Sequence, residues 1–162
     1  MPFYETGTVK KGDLSQKDVD IVKALLQTIQ PHELFVAGDL ADPHGTHKVC
    51  LDAVLAALDE LKDEQWLRNC RVWMYRGAWM EWEVDLIEMA VPMSPEELRH
   101  KRNTILRHQS QMESAPFMGD DERLFWQRAE DRNHATAELY AQLGLANYEA
   151  IEAFVQYHPL TT

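Results

Sequence analysis

The apolar residues of this chain change period along its length, and that change constrains the fold more than any other feature. Over residues 15–30, Val22, Leu25, Leu26 and Ile29 recur at helical spacing behind a capping Ser15, and Pro31 ends the run. Leu34, Phe35 and Val36 then form a short continuous apolar stretch closing on Ala37-Gly38, which reads as a buried strand. A second helix is predicted over residues 45–62, with a stripe of His47, Cys50, Leu51, Val54, Leu58 and Leu61. Strands are predicted over Cys70–Tyr75 and Glu83–Val91, with an aromatic loop between them. The next helix start is well specified: Ser94 caps it, Pro95 takes the first position and Glu97 completes a capping box, with the helix reaching Gln109. Asp120 or Asp121 caps a helix to Leu143, which Gly144 stops, and Tyr148–Tyr157 reads as a final strand. The order α-β-α-β-β-α-α-β predicts an α/β fold, a layered α/β/α arrangement around a largely parallel, Rossmann-like sheet.

Length and charge narrow the function classes. With 162 residues, the chain suits one compact unit. It carries 16 Lys and Arg against 27 Asp and Glu, a net charge of −11. Phosphate backbones need a basic face, so this balance argues against a nucleic-acid partner and against an anionic membrane surface. No apolar run approaches the roughly 20 residues that span a bilayer. Residues 1–13 are polar, without the apolar core of a signal peptide. Cys50 and Cys70 are read as reduced thiols, and the expected compartment is the cytoplasm.

The richest segment for chemistry is Gly38-Asp39-Leu40-Ala41-Asp42-Pro43-His44-Gly45-Thr46-His47. It follows a predicted strand, and in open α/β sheets ligands bind outside the carboxyl ends of strands. Gly45 permits a tight turn, and histidines three apart at a helix start can face one cleft. Neutral imidazole is a zinc ligand, and a neighbouring carboxylate can fix its tautomer. Asp39 and Asp42 are available for that orienting role. The same pattern also fits His47 as a buried stripe residue with His44 as a loop or capping residue.

Asp42-Pro43-His44-Gly45-Thr46-His47, after a strand and opening a helix, resembles the second signature of the PIG-L/LmbE-like N-deacetylases. The segment from Lys101 to Gln111, with His108, Ser110 and Gln111, is similar to a late helix of that family. The resemblance spans roughly residues 30–157 and is strongest to the deacetylase-like C-terminal region of long bacterial glucosamine-6-phosphate deaminase proteins, over Val36–Cys50 and Trp126–Tyr140. It implies a zinc-dependent amide hydrolysis of an N-acetylglucosamine-type sugar or phosphosugar. In that scheme His47 is a metal ligand, His44 steadies the oxyanion or protonates the leaving amine, and Asp39 and Asp42 orient them. Thr46 replaces the Asp common between the two histidines. The family's first signature, His-Pro-Asp-Asp, supplies two metal ligands and the general base, and it does not occur in this sequence.

A catalytic zinc normally takes three protein ligands and an open position. The resemblance therefore predicts that residues 1–162 are the C-terminal half of a deacetylase domain, with zinc weakly held or not held by this chain alone. It implies as partners the missing N-terminal half and a linked deaminase domain. An exposed sheet edge on such a half-domain would favour self-association. The alternative is a non-catalytic regulatory, sugar-binding or assembly module of a glucosamine-6-phosphate deaminase. A third reading is an unrelated α/β protein with structural histidines.

Trp79 and His108 are the candidate substrate contacts. Trp79 lies with Trp82 in the aromatic loop near Trp73 and Tyr75, where an indole can stack on a sugar ring or simply join the core. The basic stretch of Arg99, Lys101, Arg102 and Arg107, with His100 and His108, reads as a solvated helix face, with contact to a phosphosugar as the alternative. The run Arg128–Asn133 reads as solvated or self-paired, without chemistry.

Overall fold

A computed structural model describes residues 13–38, 45–78, 80–109 and 123–158. The described residues form helices α1 (Gln16–Ile29), α2 (Thr46–Glu60), α3 (Pro95–Leu106) and α4 (Phe125–Gln142). Strands β1 (Glu33–Ala37), β2 (Arg71–Tyr75), β3 (Met89–Met93) and β4 (Ala150–Gln156) make one sheet in the order β1-β2-β4-β3. Short 3-10 turns at Gln65–Asn69 and Val84–Leu86 fill the connections.

The sheet agrees with the predicted class, with one refinement. β1 and β2 pair in parallel, while β4 pairs antiparallel with β2 and with β3. Three strands thus share one direction and β4 runs against them, so the parallel character lies in strand direction more than in pairing. β4 follows a helix that returns it between β2 and β3, which no local pattern in its own residues specifies.

Alternation along the strands separates two layers. Val36 and Val72 face α1 and α2, where they join Val19, Leu26, Leu51, Ala57, Leu58 and Leu61 in the main core. On the opposite face lie Phe35, Trp73 and Phe154, with Phe35 and Phe154 meeting edge to face at 5.6 Å. Glu152 points to that second face and receives side chains from α3 and α4. The layered α/β/α reading therefore holds.

Local signals explain the helix ends. Ser94 and Glu97 form the expected reciprocal capping box, with the Glu97 backbone N–H donating to the Ser94 hydroxyl at 3.3 Å. At the start of α1 the Asp18 carboxylate accepts from the Ser15 backbone N–H at 3.0 Å and from its hydroxyl at 2.6 Å. α1 ends on Gln30, which adopts a left-handed φ of 47° before Pro31. Gly45 precedes α2 at φ 66°, a conformation that glycine takes at no steric cost.

Three boundaries differ from the sequence reading. β3 occupies Met89–Met93 rather than Glu83–Val91, because Val84–Leu86 turns into a 3-10 helix. Pro92 is accommodated because β3 is an edge strand. α3 stops at Leu106, and α4 starts at Phe125, where the Leu124 backbone N–H donates to the Gln127 side chain at 2.7 Å. Of the stripe expected on α2, Leu51, Leu58 and Leu61 are in the core and Val54 packs against it, whereas His47 and Cys50 are exposed.

Candidate functional site

The loop that follows β2 and one face of α4 enclose a cavity of about 460 Å³. Its walls include Ala78 and Trp82 from the loop after β2, and Arg128, Arg132 and Thr136 from α4. Those three α4 residues are four apart, so they line one helix face. Glu81 bridges the two walls: its carboxylate accepts from Arg132 at 2.8 Å and from the Thr136 hydroxyl at 2.9 Å. It also accepts from the Trp82 backbone N–H at 3.0 Å.

Trp82 packs against the end of β1. A Cβ on Gly38 would lie 2.8 Å from Trp82 Cζ2 and 2.9 Å from Met74 Cβ, so the bare glycine backbone is what admits the indole. The Arg76 guanidinium lies over the same indole, 4.2 Å from its centroid.

Behind the cavity wall, Arg132 reaches from Glu81 to Glu152 at 2.5 Å. Lys101 also pairs with Glu152, and its ammonium donates to Asn133 Oδ1 at 2.7 Å. Asn133 is wholly buried and donates to the Ile151 carbonyl at 2.9 Å. Burial pushes the Glu152 carboxyl up, but Arg132 and Lys101 outweigh burial and hold it below the ordinary carboxylate range. A parallel pair joins Arg102 to the buried Glu130 at 2.7 Å, with the Arg102 guanidinium 4.8 Å from the Trp126 centroid. Arg99 and Arg107 are exposed, as the solvated-face reading expects, whereas Lys101 and Arg102 are half-buried, and the Arg128–Asn133 run, read as solvated or self-paired, pairs with other elements instead. Lys101, Arg102, Glu130, Arg132 and Asn133 form buried and half-buried ion pairs and hydrogen bonds between α3, α4 and β4.

The residues singled out from the sequence fall unevenly on this frame. Asp39, Asp42, His44 and Trp79 lie outside the described residues. His47 sits exposed in the first turn of α2. His108 sits exposed just past α3, its backbone N–H on the Ile105 carbonyl at 3.0 Å. Neither is among the residues described as lining the cavity. Trp73, weighed as a sugar contact or a core residue, is buried in the core. Arg76, Glu81 and Thr136 were not singled out from the sequence, and Arg132 was assigned no chemistry. The signal for the α4 members was their spacing of four, hidden because charged residues at that spacing also fit a solvated helix face.

Among the described residues, no three or more His, Cys, Asp or Glu side chains come together to hold a metal ion. One imidazole does not meet the three-ligand requirement of a catalytic zinc, so the described donor set does not fit that ion. The cavity's groups are suited to binding: an indole face, guanidinium donors and a carboxylate already engaged by its neighbours. No helix among the described residues is long and apolar enough to cross a membrane.

The comparisons with known proteins agree with this fold. No protein-family model matches the sequence. A protein of Bacteroides thetaiotaomicron described as glucosamine-6-phosphate deaminase-like is 70% identical over 162 residues, which are 99% of this chain and 24% of that protein. Among solved structures, the zinc-inhibited form of teicoplanin deacetylase matches 88% of this chain with a TM-score of 0.52 at 20% identity. A conserved protein of Thermus thermophilus matches 93% with a TM-score of 0.57 at 17% identity. The 4-carboxy-2-hydroxymuconate hydratase of Pseudomonas putida matches 96% with a TM-score of 0.62 at 12% identity. The chain spans about a quarter of the curated relative and 52%, 62% and 63% of these three structures. The resemblance read from the sequence therefore holds: the chain has a fold shared with deacetylases, and its sequence is similar to that of a deaminase-like protein.

Proposed function

We propose that this chain is the later part of a deacetylase-type domain acting on an amino sugar or phosphosugar, within a longer protein that also carries a glucosamine-6-phosphate deaminase-like region. One observation carries the reading. The chain matches a deacetylase fold over 88% of its own length while covering only 52% of that structure. The 70% identity to a protein roughly four times longer points the same way.

In this reading His47 contributes one ligand to a metal, zinc by resemblance, and His44 serves the oxyanion or the leaving amine. Asp39 and Asp42 orient the two imidazoles, and Trp79 and His108 contact the sugar. The His-Pro-Asp-Asp signature does not occur in this sequence, so in this reading the remaining ligands and the base come from elsewhere in the longer protein. The chain by itself accordingly binds zinc weakly and hydrolyses no acetamide.

The test compares the 162-residue chain with the longer protein. Acetate release from N-acetylglucosamine and its 6-phosphate is expected only from the longer protein. Robust turnover by the short chain would contradict the reading. In the longer protein His47→Ala should lower zinc content by at least tenfold, and unchanged zinc removes His47 from the ligand set. Because His47 is exposed, its loss should leave unfolding stability within about 0.5 kcal/mol.

A second reading has its own support. A hydratase shares the fold, so fold does not fix the reaction. The described cavity is lined by an indole, guanidinium groups and a carboxylate, which can bind a polar ligand. A non-catalytic, sugar-binding or assembly module fits those two facts. It predicts binding of glucosamine 6-phosphate by the short chain without acetate release from either form.

A further inference from the structure

On the cavity wall, α4 presents two donors to a carboxylate of the chain itself. The Arg132 guanidinium donates to Glu81 Oε2 at 2.8 Å, and the Thr136 hydroxyl donates to the same oxygen at 2.9 Å. The donors stand about one turn apart on one helix face. A guanidinium and a hydroxyl converging on one oxygen suit any oxyanion, whether it belongs to the chain or to a ligand.

The two sides of this contact are held unequally. The Arg132 side chain is 7% exposed, and Glu152 braces its other terminal nitrogen from behind at 2.5 Å. The Thr136 hydroxyl has a second acceptor in the Arg132 carbonyl, also at 2.9 Å. A hydroxyl has one proton to donate, so Thr136 keeps a partner when Glu81 moves away. Glu81, by contrast, stands in the connection between β2 and the 3-10 turn at Val84–Leu86, in neither helix nor strand. Its neighbour Met80 is 54% exposed, and the Trp82 N–H that also donates to Glu81 belongs to the same loop. The donors are fixed on a braced helix, and the acceptor sits on the part that can move.

Charge selects the ligand. The residues described as lining the cavity include Arg123, Arg128 and Arg132 against Glu81 and Asp131, a balance of +1 in a chain of net charge −11. Behind Arg132, Glu152 and Lys101 offset each other. With Glu81 displaced, the lining stands at +2. A phosphate monoester carries about −1.5 to −2 at pH 7 and neutralises that balance, whereas a carboxylate leaves half of it. Arg132 Nε–H and Trp82 Nε1–H are buried with no hydrogen-bond partner among the described residues. An oxygen-rich ligand brings the acceptors that such donors lack. Trp82, Met80, Ile87 and Leu139 form an apolar wall for the ligand's carbon body, and about 460 Å³ accommodates a small molecule.

We propose that the α4 face of this cavity is a phosphate-monoester site formed by Arg132 and Thr136, and that Glu81 fills it as an internal stand-in which the ligand displaces. The body of the ligand, an amino sugar, rests on the proposed function. The phosphate contact does not.

Inorganic phosphate, titrated into the 162-residue chain by calorimetry and nitrogen-15 NMR, tests the site without any sugar. The Arg132 Nε–H signal should move as phosphate saturates. Glu81→Gln removes the competing charge and should tighten phosphate binding at least tenfold. Thr136→Val should weaken it at least threefold. The Glu81→Gln gain should recur in the longer protein, as a difference in which phosphate bound elsewhere cancels. Acetate should bind at least tenfold more weakly than phosphate. If either variant fails to fold, the Arg132 signal of the native chain carries the test. An unmoved Arg132 signal overturns the proposal, as does a Glu81→Gln affinity equal to or below the native one. Acetate binding as tight as phosphate overturns the assignment to a phosphate. Acetate release by the longer protein with an unmoved Arg132 signal defeats this site alone. Phosphate at Arg132 without acetate release defeats the hydrolytic reading alone.

Discussion

Replacing Glu152 by Gln should destabilise the protein by about 3 kcal/mol, the low end of the range for breaking a buried ion pair. The Glu152 side chain is 14% exposed and meets Arg132, 7% exposed, and Lys101, 28% exposed. Glutamine keeps the shape and removes the charge that both cations require. Two facts place the cost low in its range. Arg132 keeps Glu81 at 2.8 Å, and Lys101 keeps Asn133 at 2.7 Å with some access to water. For a chain of this size the loss corresponds to a midpoint drop of about 6–12 °C. Urea unfolding followed by far-ultraviolet circular dichroism measures it. The matched control is Asp52→Asn, which breaks the exposed pair with Lys48 on α2 and should cost no more than about 0.5 kcal/mol. If the two variants lose similar stability, the α3, α4 and β4 charges are not the interior brace described above.

Other consequences follow from the same geometry. Because Glu152 titrates below its unfolded value, its contribution is fully present above the ordinary carboxylate range and is lost as pH falls through the lowered folded value. The stability gap between the native chain and Glu152→Gln should therefore shrink in acid, as unfolding at pH 3 and pH 7 will show. Gly38→Ala should cost about 1–3 kcal/mol by overpacking against Trp82 and Met74, with a change in tryptophan emission as its signature. Burial, with Glu33 nearby, pushes the Cys70 thiol up, so iodoacetamide at pH 8 should modify exposed Cys50 before Cys70, read by mass spectrometry.

The elements whose signals are local were legible. Ser94-Pro95-Glu96-Glu97 announced α3, Leu34–Val36 announced β1, and Gly45 marked the turn into α2. What local pattern could not carry was β4's insertion between β2 and β3, since strand order is decided by packing of remote elements. The charges of α4 illustrate a second limit. Arg128, Arg132 and Thr136 have the spacing of a solvated face, and only the carboxylates of Glu81 and Glu152, about 50 and 20 residues away, turn that face inward. The His44-Gly45-Thr46-His47 motif was visible as chemistry. Its metal role was not decidable, because coordination depends on ligands that converge from separate segments.

In the proposed function the active site is shared between this chain and other sequence of the longer protein. Zinc content and acetate release, measured side by side on the 162-residue chain and the longer protein with N-acetylglucosamine 6-phosphate, test it most directly. Retained zinc and acetate are expected from the longer protein, and neither from the short chain. Stoichiometric zinc and sustained turnover in the short chain would contradict it.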